Sequence, residues 1–146
     1  MKTKFELVQS TDVGFEACTA FLEQQLLASL RTELIQSANQ SFVLVSKTAE
    51  DEIVGGIVAS TSYDWLLVKL LWVEESSRKL GLGKQLLSQA EEKGMAIGCH
   101  SAWLDTSNPV AMHFYRKNGY SEFGRLHNEA DHQPPSHQRW FLKKKL

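Results

Sequence analysis

The chain carries almost no net charge: 16 lysines and arginines stand against 17 aspartates and glutamates, a formal net charge of -1 over 146 residues. That balance supplies no global field to draw nucleic acid, and the basic ending "KKKL" is too short a run to alter it. Cysteine is scarce. Cys18 and Cys99 lie far apart and outside metal or redox spacing, which excludes a disulfide framework and a zinc finger. Long hydrophobic runs are missing too. The most apolar window, "WLLVKLLWV", is too short to span a bilayer and is interrupted by Lys69. The opening "MKTKFELVQST" has no apolar core of a signal peptide. These absences point to a soluble cytoplasmic protein without a membrane or nucleic-acid partner. What is present is ordinary for a globular chain, with 42% hydrophobic residues and enough length for one core. Residues 1–146 therefore read as a single domain.

"KFELV" reads as a first short strand, after which Thr11 or Asp12 caps a helical region running to about Ser37, with one break near its middle. "SFVLVSK" and "EIVGGIVASTSY" are β-branched runs joined by "TAEDE", the pattern of an antiparallel hairpin. "WLLVKLLWV" follows as a central strand buried on both faces. Leu82, Leu86 and Ala90 then recur at helical spacing, with Leu87 widening the stripe, until "KGMAIG". "SAWLDT" is strand-like. In "NPVAMHFYRKNG", Asn108 suits the N-cap, Pro109 the first helical position and Gly119 the left-handed cap after the helix. "YSEFGRL" and "QRWFLKK" close the chain as two strands. The order predicts a mixed α/β (α+β) domain, with a largely antiparallel sheet of about seven strands, about four helices and one parallel crossover through the central helix.

Between the central strand and that helix lies "VEESSRKLGLGKQLL", Val73 to Leu87. A glycine turn feeding a helix points free backbone N–H groups at one spot, where the helix dipole favours an anion. Gly81 and Gly83 permit positive φ and a ligand's close approach, and Arg78, Lys79 and Lys84 add positive charge. Spacing alone leaves a plain tight turn and a phosphate cradle both open. Two nucleotide loops are excluded: Gln85 follows "GK" where the ATP-type loop needs Ser or Thr, and Leu86 takes the place of the third glycine of the dinucleotide fingerprint.

"RKLGLG" resembles the Arg/Gln-x-x-Gly-x-Gly/Ala signature of the GNAT superfamily of N-acetyltransferases, and "AWLDTSNPVAMHFYRKNGYSEFG" resembles that family's second signature. The likeness is strongest from Leu66 to Gly124. It implies a GNAT-like domain whose strands Leu66–Val73 and Ala102–Thr106 splay into a wedge for acetyl-CoA, the acyl donor. By this resemblance Leu71 and Val73 pair with the pantetheine arm, much as an added strand would. The pyrophosphate rests on the segment Arg78, Lys79, Leu80, Gly81, Leu82, Gly83 and Lys84. Asn108, also the helix cap, contacts the cofactor. Tyr115 matches the tyrosine that acts as general acid toward the departing thiolate; its plain alternative is a core tyrosine. For the general base the resemblance offers Asp64 and Glu74, which flank the wedge strand, with Glu75 beside them and a water chain as the alternative. Similar strands in that family often carry an acidic residue where this chain has Lys69.

The resemblance implies acetyl transfer to a primary amine by direct attack in a ternary complex, with no metal. Cys18 and Cys99 fall outside both signatures, against a route through an acyl-cysteine. The other readings are a non-catalytic acyl-CoA-binding or sensing module and a protein lysine or N-terminal acetyltransferase. A homodimer is compatible with the family. The loop "HNEADHQPPSH", with His127, His132 and His137 beside Glu129 and Asp131, fits no standard metal spacing and reads as a polar loop near the acceptor mouth.

Overall fold

The structure, a computed structural model, describes residues 3–34 and 39–146. It falls into two compact units, residues 1–36 and residues 37–146.

The first unit is built on one helix, α1 (Phe15–Glu33). Its sequence contains neither glycine nor proline, so nothing interrupts it, and the expected break is absent. The expected end at Ser37 lies outside the described residues. The cap also differs. Gly14 holds the N-cap position without a side-chain bond. The Asp12 carboxylate instead accepts the Gln9 N–H at 2.8 Å within the preceding turn. Residues 4–8 are not a strand, so "KFELV" is a wrong assignment. Five alternating residues carry β propensity, but propensity without a ladder is weak.

The second unit is a six-stranded sheet: β1 (Ser41–Lys47), β2 (Ile53–Ser62), β3 (Trp65–Val73), β4 (Ser101–Thr106), β5 (Ser121–His127) and β6 (Gln138–Lys145). The spatial order is β1-β2-β3-β4-β6-β5. Only β3 and β4 run parallel, joined by the crossover helix α2 (Leu82–Ile97); α3 (Pro109–Lys117) follows β4. Among the described residues there are thus six strands and three α-helices, plus a short 3-10 turn at Glu75–Ser77, against an expectation of about seven and about four. No described helix is long and apolar enough to cross a membrane.

Local chemistry accounts for the connections. β1 and β2 form the expected hairpin, closed by the Thr48 N–H to Glu52 carbonyl bond at 2.9 Å. β2 and β3 are joined by Tyr63 and Asp64, both left-handed (φ 50° and 61°), the backbone of a two-residue turn matched to strand twist. α2 ends on Gly98 at φ 118°, and α3 is followed by Gly119 at φ 93°. α2 packs on β2 and β3, and α3 on β4. Their buried residues form one cluster with a single face of the sheet, centred on Ile57, Leu66, Leu87, Leu104 and Leu142.

Candidate active site

β3 and β4 pair at only three positions, Trp65↔Ser101, Leu66↔Ala102 and Leu67↔Trp103. Beyond them β3 continues to Val73 and β4 to Thr106, so the two strands part into the wedge expected from the sequence. On its other side β3 stays paired with β2 as far as Val73↔Gly55. The Glu74 N–H donates to the Val54 carbonyl at 2.9 Å, toward β2. Strand alternation then turns the main-chain groups of Leu71 and Val73 the other way, into the gap. The Val73 carbonyl is already engaged there, accepting the Arg78 Nε–H at 2.9 Å.

β3 also carries a feature that its sequence does not announce. Val58 pairs with Leu70 but Ala59 pairs with Val68, so Lys69 is an extra, bulged residue. Before the bulge Leu66 and Val68 face the helical core; after it Leu71 and Val73 do, and Lys69, Leu70 and Trp72 are exposed. The run is therefore not buried on both faces.

The loop after β3 delivers the N-terminus of α2. Gly81 is the N-cap at φ 78°, without a side-chain cap and with no acidic residue in the first turn. The first helical bond is Gln85 N–H to Gly81 carbonyl, 3.0 Å, so the Leu82, Gly83 and Lys84 amides precede any intrahelical partner. Lys79 is also left-handed, at φ 66°. The two glycines do different work. A Cβ on Gly81 would meet no protein atom within 4 Å, so within the fold it is the backbone angle that favours glycine. Gly83 has helical backbone, and its Cβ would face the Phe114 ring at 3.5 Å and Val73 at 3.7 Å. That is ordinary contact, and the helical backbone corrects the expectation that both glycines adopt positive φ: Gly81 does and Gly83 does not.

α3 ties this loop to β4. The Asn108 Oδ1 accepts the Val110 N–H at 2.9 Å, the cap expected from "NP". Phe114 then borders Gly83, and Tyr115, 7% exposed, joins the core with its ring edge-on to Tyr120 at 5.6 Å. Burial pushes the Tyr115 phenol up to about 12, so it is fully protonated at neutral pH. Burial also raises the thiol of Cys99, followed by the charge of Asp64.

The two carboxylates expected near the strand are separated. Asp64 sits in the β2–β3 turn, where its carbonyl accepts the His100 N–H, at the closed end of the β3–β4 pair. Glu74 lies at the open end and accepts the Ser76 hydroxyl at 3.0 Å. The eight steps of β3 from Trp65 to Val73 alone span about 25 Å, and Asp64 and Glu74 lie beyond its two ends. Glu74 stays with the wedge; Asp64 does not.

Sequence reasoning passed over Asp105. It alternates with buried Leu104 on β4, within the splayed segment, and accepts Arg139 Nε–H at 3.0 Å and Nη2–H at 2.7 Å, both at Oδ1. The signal was the alternation in "SAWLDT"; its partner lies 34 residues away in sequence. In the histidine loop, His137 Nε2 lies 3.2 Å from the Ser107 hydroxyl just past β4. His132 Nδ1 accepts the Glu129 N–H at 2.8 Å. Among the described residues no group of three or more His, Cys, Asp or Glu side chains converges to hold a metal ion.

Residues 9–120 match the Acetyltransferase (GNAT) family. An acetyltransferase of Agrobacterium fabrum is 30% identical over 80% of this chain and 85% of its own length. The blasticidin-S acetyltransferase of Streptomyces morookaense is 34% identical over 65% of this chain and 68% of its own. Among solved structures, an acetyltransferase from Agrobacterium tumefaciens superposes with a TM-score of 0.85 at 28% identity, covering 99% of this chain and 100% of that one. A Bacillus anthracis protein assigned as a streptothricin acetyltransferase, solved with acetyl coenzyme A, shares the fold at a TM-score of 0.65 and 21% identity over 79% of this chain and 67% of that one.

Proposed function

The chain belongs to the GNAT acetyltransferase family, and from that premise we propose that residues 1–146 act as one domain transferring acetyl from acetyl-CoA to a primary amine on a small molecule. The observation that carries this reading is the wedge itself: β3 loses β4 after Leu67 and runs on, with main chain turned into the gap, straight to an uncapped helix N-terminus. A thioester-bearing chain with a pyrophosphate at one end has that shape. The pantetheine would take the main chain of Leu71 and the Val73 N–H, the Val73 carbonyl being held by Arg78. The amides from Lys79 to Lys84 would take the pyrophosphate. Asn108 would add a cofactor contact from its place at the start of α3, beyond its cap role.

An attacking amine forms the C–N bond before the C–S bond breaks, and CoA departs as a thiolate with an ordinary pKa of about 8.5. A phenol held near 12 is a poorer acid than that thiol. Tyr115 therefore acts by donating a hydrogen bond to the developing thiolate, with full protonation left to solvent. Glu74, at the open end of β3, is the carboxylate we keep as a base for the amine. The buried, raised Cys99 thiol supports direct attack in a ternary complex over an acyl-cysteine route. The blasticidin-S named for one relative and the streptothricin named for another favour a small-molecule acceptor over a protein amine.

The test is release of free CoA on adding blasticidin S, streptothricin, simple polyamines, amino acids and peptides with free N-termini and lysines. A small amine that turns over supports the proposal, and turnover of peptides alone would shift it to a protein acetyltransferase. Acetyl-CoA binding without any turnover would leave a sensing module. With an acceptor in hand, Tyr115→Phe should lower kcat about 100-fold or more while leaving acetyl-CoA affinity unchanged.

A further inference from the structure

The wedge has two faces, and the chemistry proposed above occupies only one. Tyr115 lies on the helical face, in the core shared by α2 and α3. On the opposite face the walls are Leu70 and Trp72 of β3, 53% and 48% exposed, and Trp103 and Asp105 of β4. β6 adds Arg139 and Phe141 to that face, the guanidinium lying 5.9 Å over the Phe141 ring. Asp105 is a charged residue inside the splayed segment of β4, and its surroundings are specific. Arg139 donates twice, but both bonds end on Oδ1. Oδ2 accepts no hydrogen bond among the described residues, although the carboxylate is fixed in place by a two-donor clamp.

We propose that Asp105 is the specificity-determining contact for the acceptor, its free Oδ2 receiving the acceptor's ammonium group on the face of the wedge opposite Tyr115. This rests on the acetyl-transfer reading above. A carboxylate with one oxygen neutralised by Arg139 and one open presents a directional acceptor rather than a diffuse charge, which suits a single N⁺–H donor. The exposed Leu70 and Trp72 offer an apolar and aromatic surface to whatever carries that amine, and an indole face also attracts cations. The ligand class follows: a primary ammonium on an apolar or ring-bearing body. Arg139 is a positioning residue that acts through Asp105. The arrangement presents the amine to one face of the thioester carbonyl, where it adds before the C–S bond breaks, while the departing sulfur meets Tyr115 from the helical side.

The experiment compares wild type, Asp105→Asn and Asp105→Glu with the amines that release CoA in the screen above. Each amine is paired with its hydroxyl analogue as an inhibitor. Losing a charge-assisted bond predicts an acceptor KM raised about 10- to 100-fold in Asp105→Asn. Acetyl-CoA affinity and melting temperature should stay close to wild type, because Arg139, whose charge loses its partner, is itself about half exposed. Wild type should prefer ammonium over hydroxyl, Asp105→Asn should lose that preference, and Asp105→Glu should recover part of it. An unchanged acceptor KM and unchanged preference in a folded Asp105→Asn protein overturn this inference and leave the acetyl-transfer reading standing. If no amine turns over in wild type, both are overturned. A parallel loss of acetyl-CoA affinity or stability would mean that Asp105 is structural, which also defeats the proposal.

Discussion

Gly81 and Gly83 stand two residues apart, yet alanine should affect them in opposite ways. At Gly81 an added methyl meets nothing within 4 Å, but the backbone is left-handed at φ 78°. Holding an L-residue there costs about 1–2 kcal/mol. At Gly83 the backbone is helical and the methyl falls in ordinary contact with Phe114 at 3.5 Å and Val73 at 3.7 Å. There alanine also gains about 0.5–1 kcal/mol over glycine in a helix. The strain in Gly81→Ala has two outlets. If the loop keeps its shape, stability falls by the full amount and affinity is unchanged. If the free loop relaxes, stability recovers and acetyl-CoA must pull the loop back, weakening binding about 5- to 30-fold for the same 1–2 kcal/mol. The two losses should therefore sum to about 1–2 kcal/mol, whichever way they divide. Calorimetric titration with acetyl-CoA and urea unfolding, on both variants, measure the two parts. Gly83→Ala should leave acetyl-CoA affinity near wild type and raise stability by about 0.5–1 kcal/mol. Equal effects of the two variants, or no loss of either kind in Gly81→Ala, would refute this division of labour between the glycines.

Two further predictions concern stability. Tyr115 ionises at about 10 in the unfolded chain and about 12 when folded. Its neutral form favours the fold fully below pH 10, and about 2–3 kcal/mol is lost as pH rises from 10 to 12. Tyr115→Phe should remove that share of the alkaline loss in urea titrations; identical pH dependence in both proteins would count against the burial of this phenol. Glu91, with an 8% exposed side chain, is held by Lys144 Nζ at 2.6 Å. Lys144→Met strands that carboxylate and should cost about 3 kcal/mol, the low end for a broken buried pair because Lys144 is partly exposed. Adding Glu91→Leu should restore most of it. A double variant as unstable as the single one would contradict the ion-pair account.

What the sequence made legible was whatever local rules govern. β1, β4 and the α3 cap fall where β-branched runs, alternation and "NP" put them, because each depends on neighbours within a few residues. α1 was misjudged at its start because Thr11 and Asp12 both look like caps, and nothing local shows that Asp12 turns back to the Gln9 N–H. The Lys69 bulge was hidden for another reason. "LLVKLLWV" is apolar on both parities, so a one-residue slip leaves no trace in its pattern. Asp105 and Arg139 are 34 residues apart, and no spacing rule reaches that far.

The bulge explains why one strand can serve both a core and a cleft. Leu66 and Val68 lie in or beside the segment where β3 is flanked by both neighbours, and they face the helices. Strict alternation would next send Leu70 and Trp72 inward and turn Leu71 and Val73 out. The extra residue reverses that, so Leu71 and Val73 continue the packing while Leu70 and Trp72 remain on the open face. The same slip decides which main-chain groups enter the wedge. β2 holds Glu74 N–H at the far end, and counting back by twos leaves Leu71 and Val73 free of β2. Arg78 then closes the Val73 carbonyl, so the wall offered to a ligand ends where the glycine loop begins. A single unpaired residue thus sets the packing face, the polarity of the cleft wall and the handover to the helix N-terminus. A carboxylate beside this cleft comes from the open end of β3 or from β4 across it. That is why Glu74 belongs with this cleft and Asp64, at the closed end, does not.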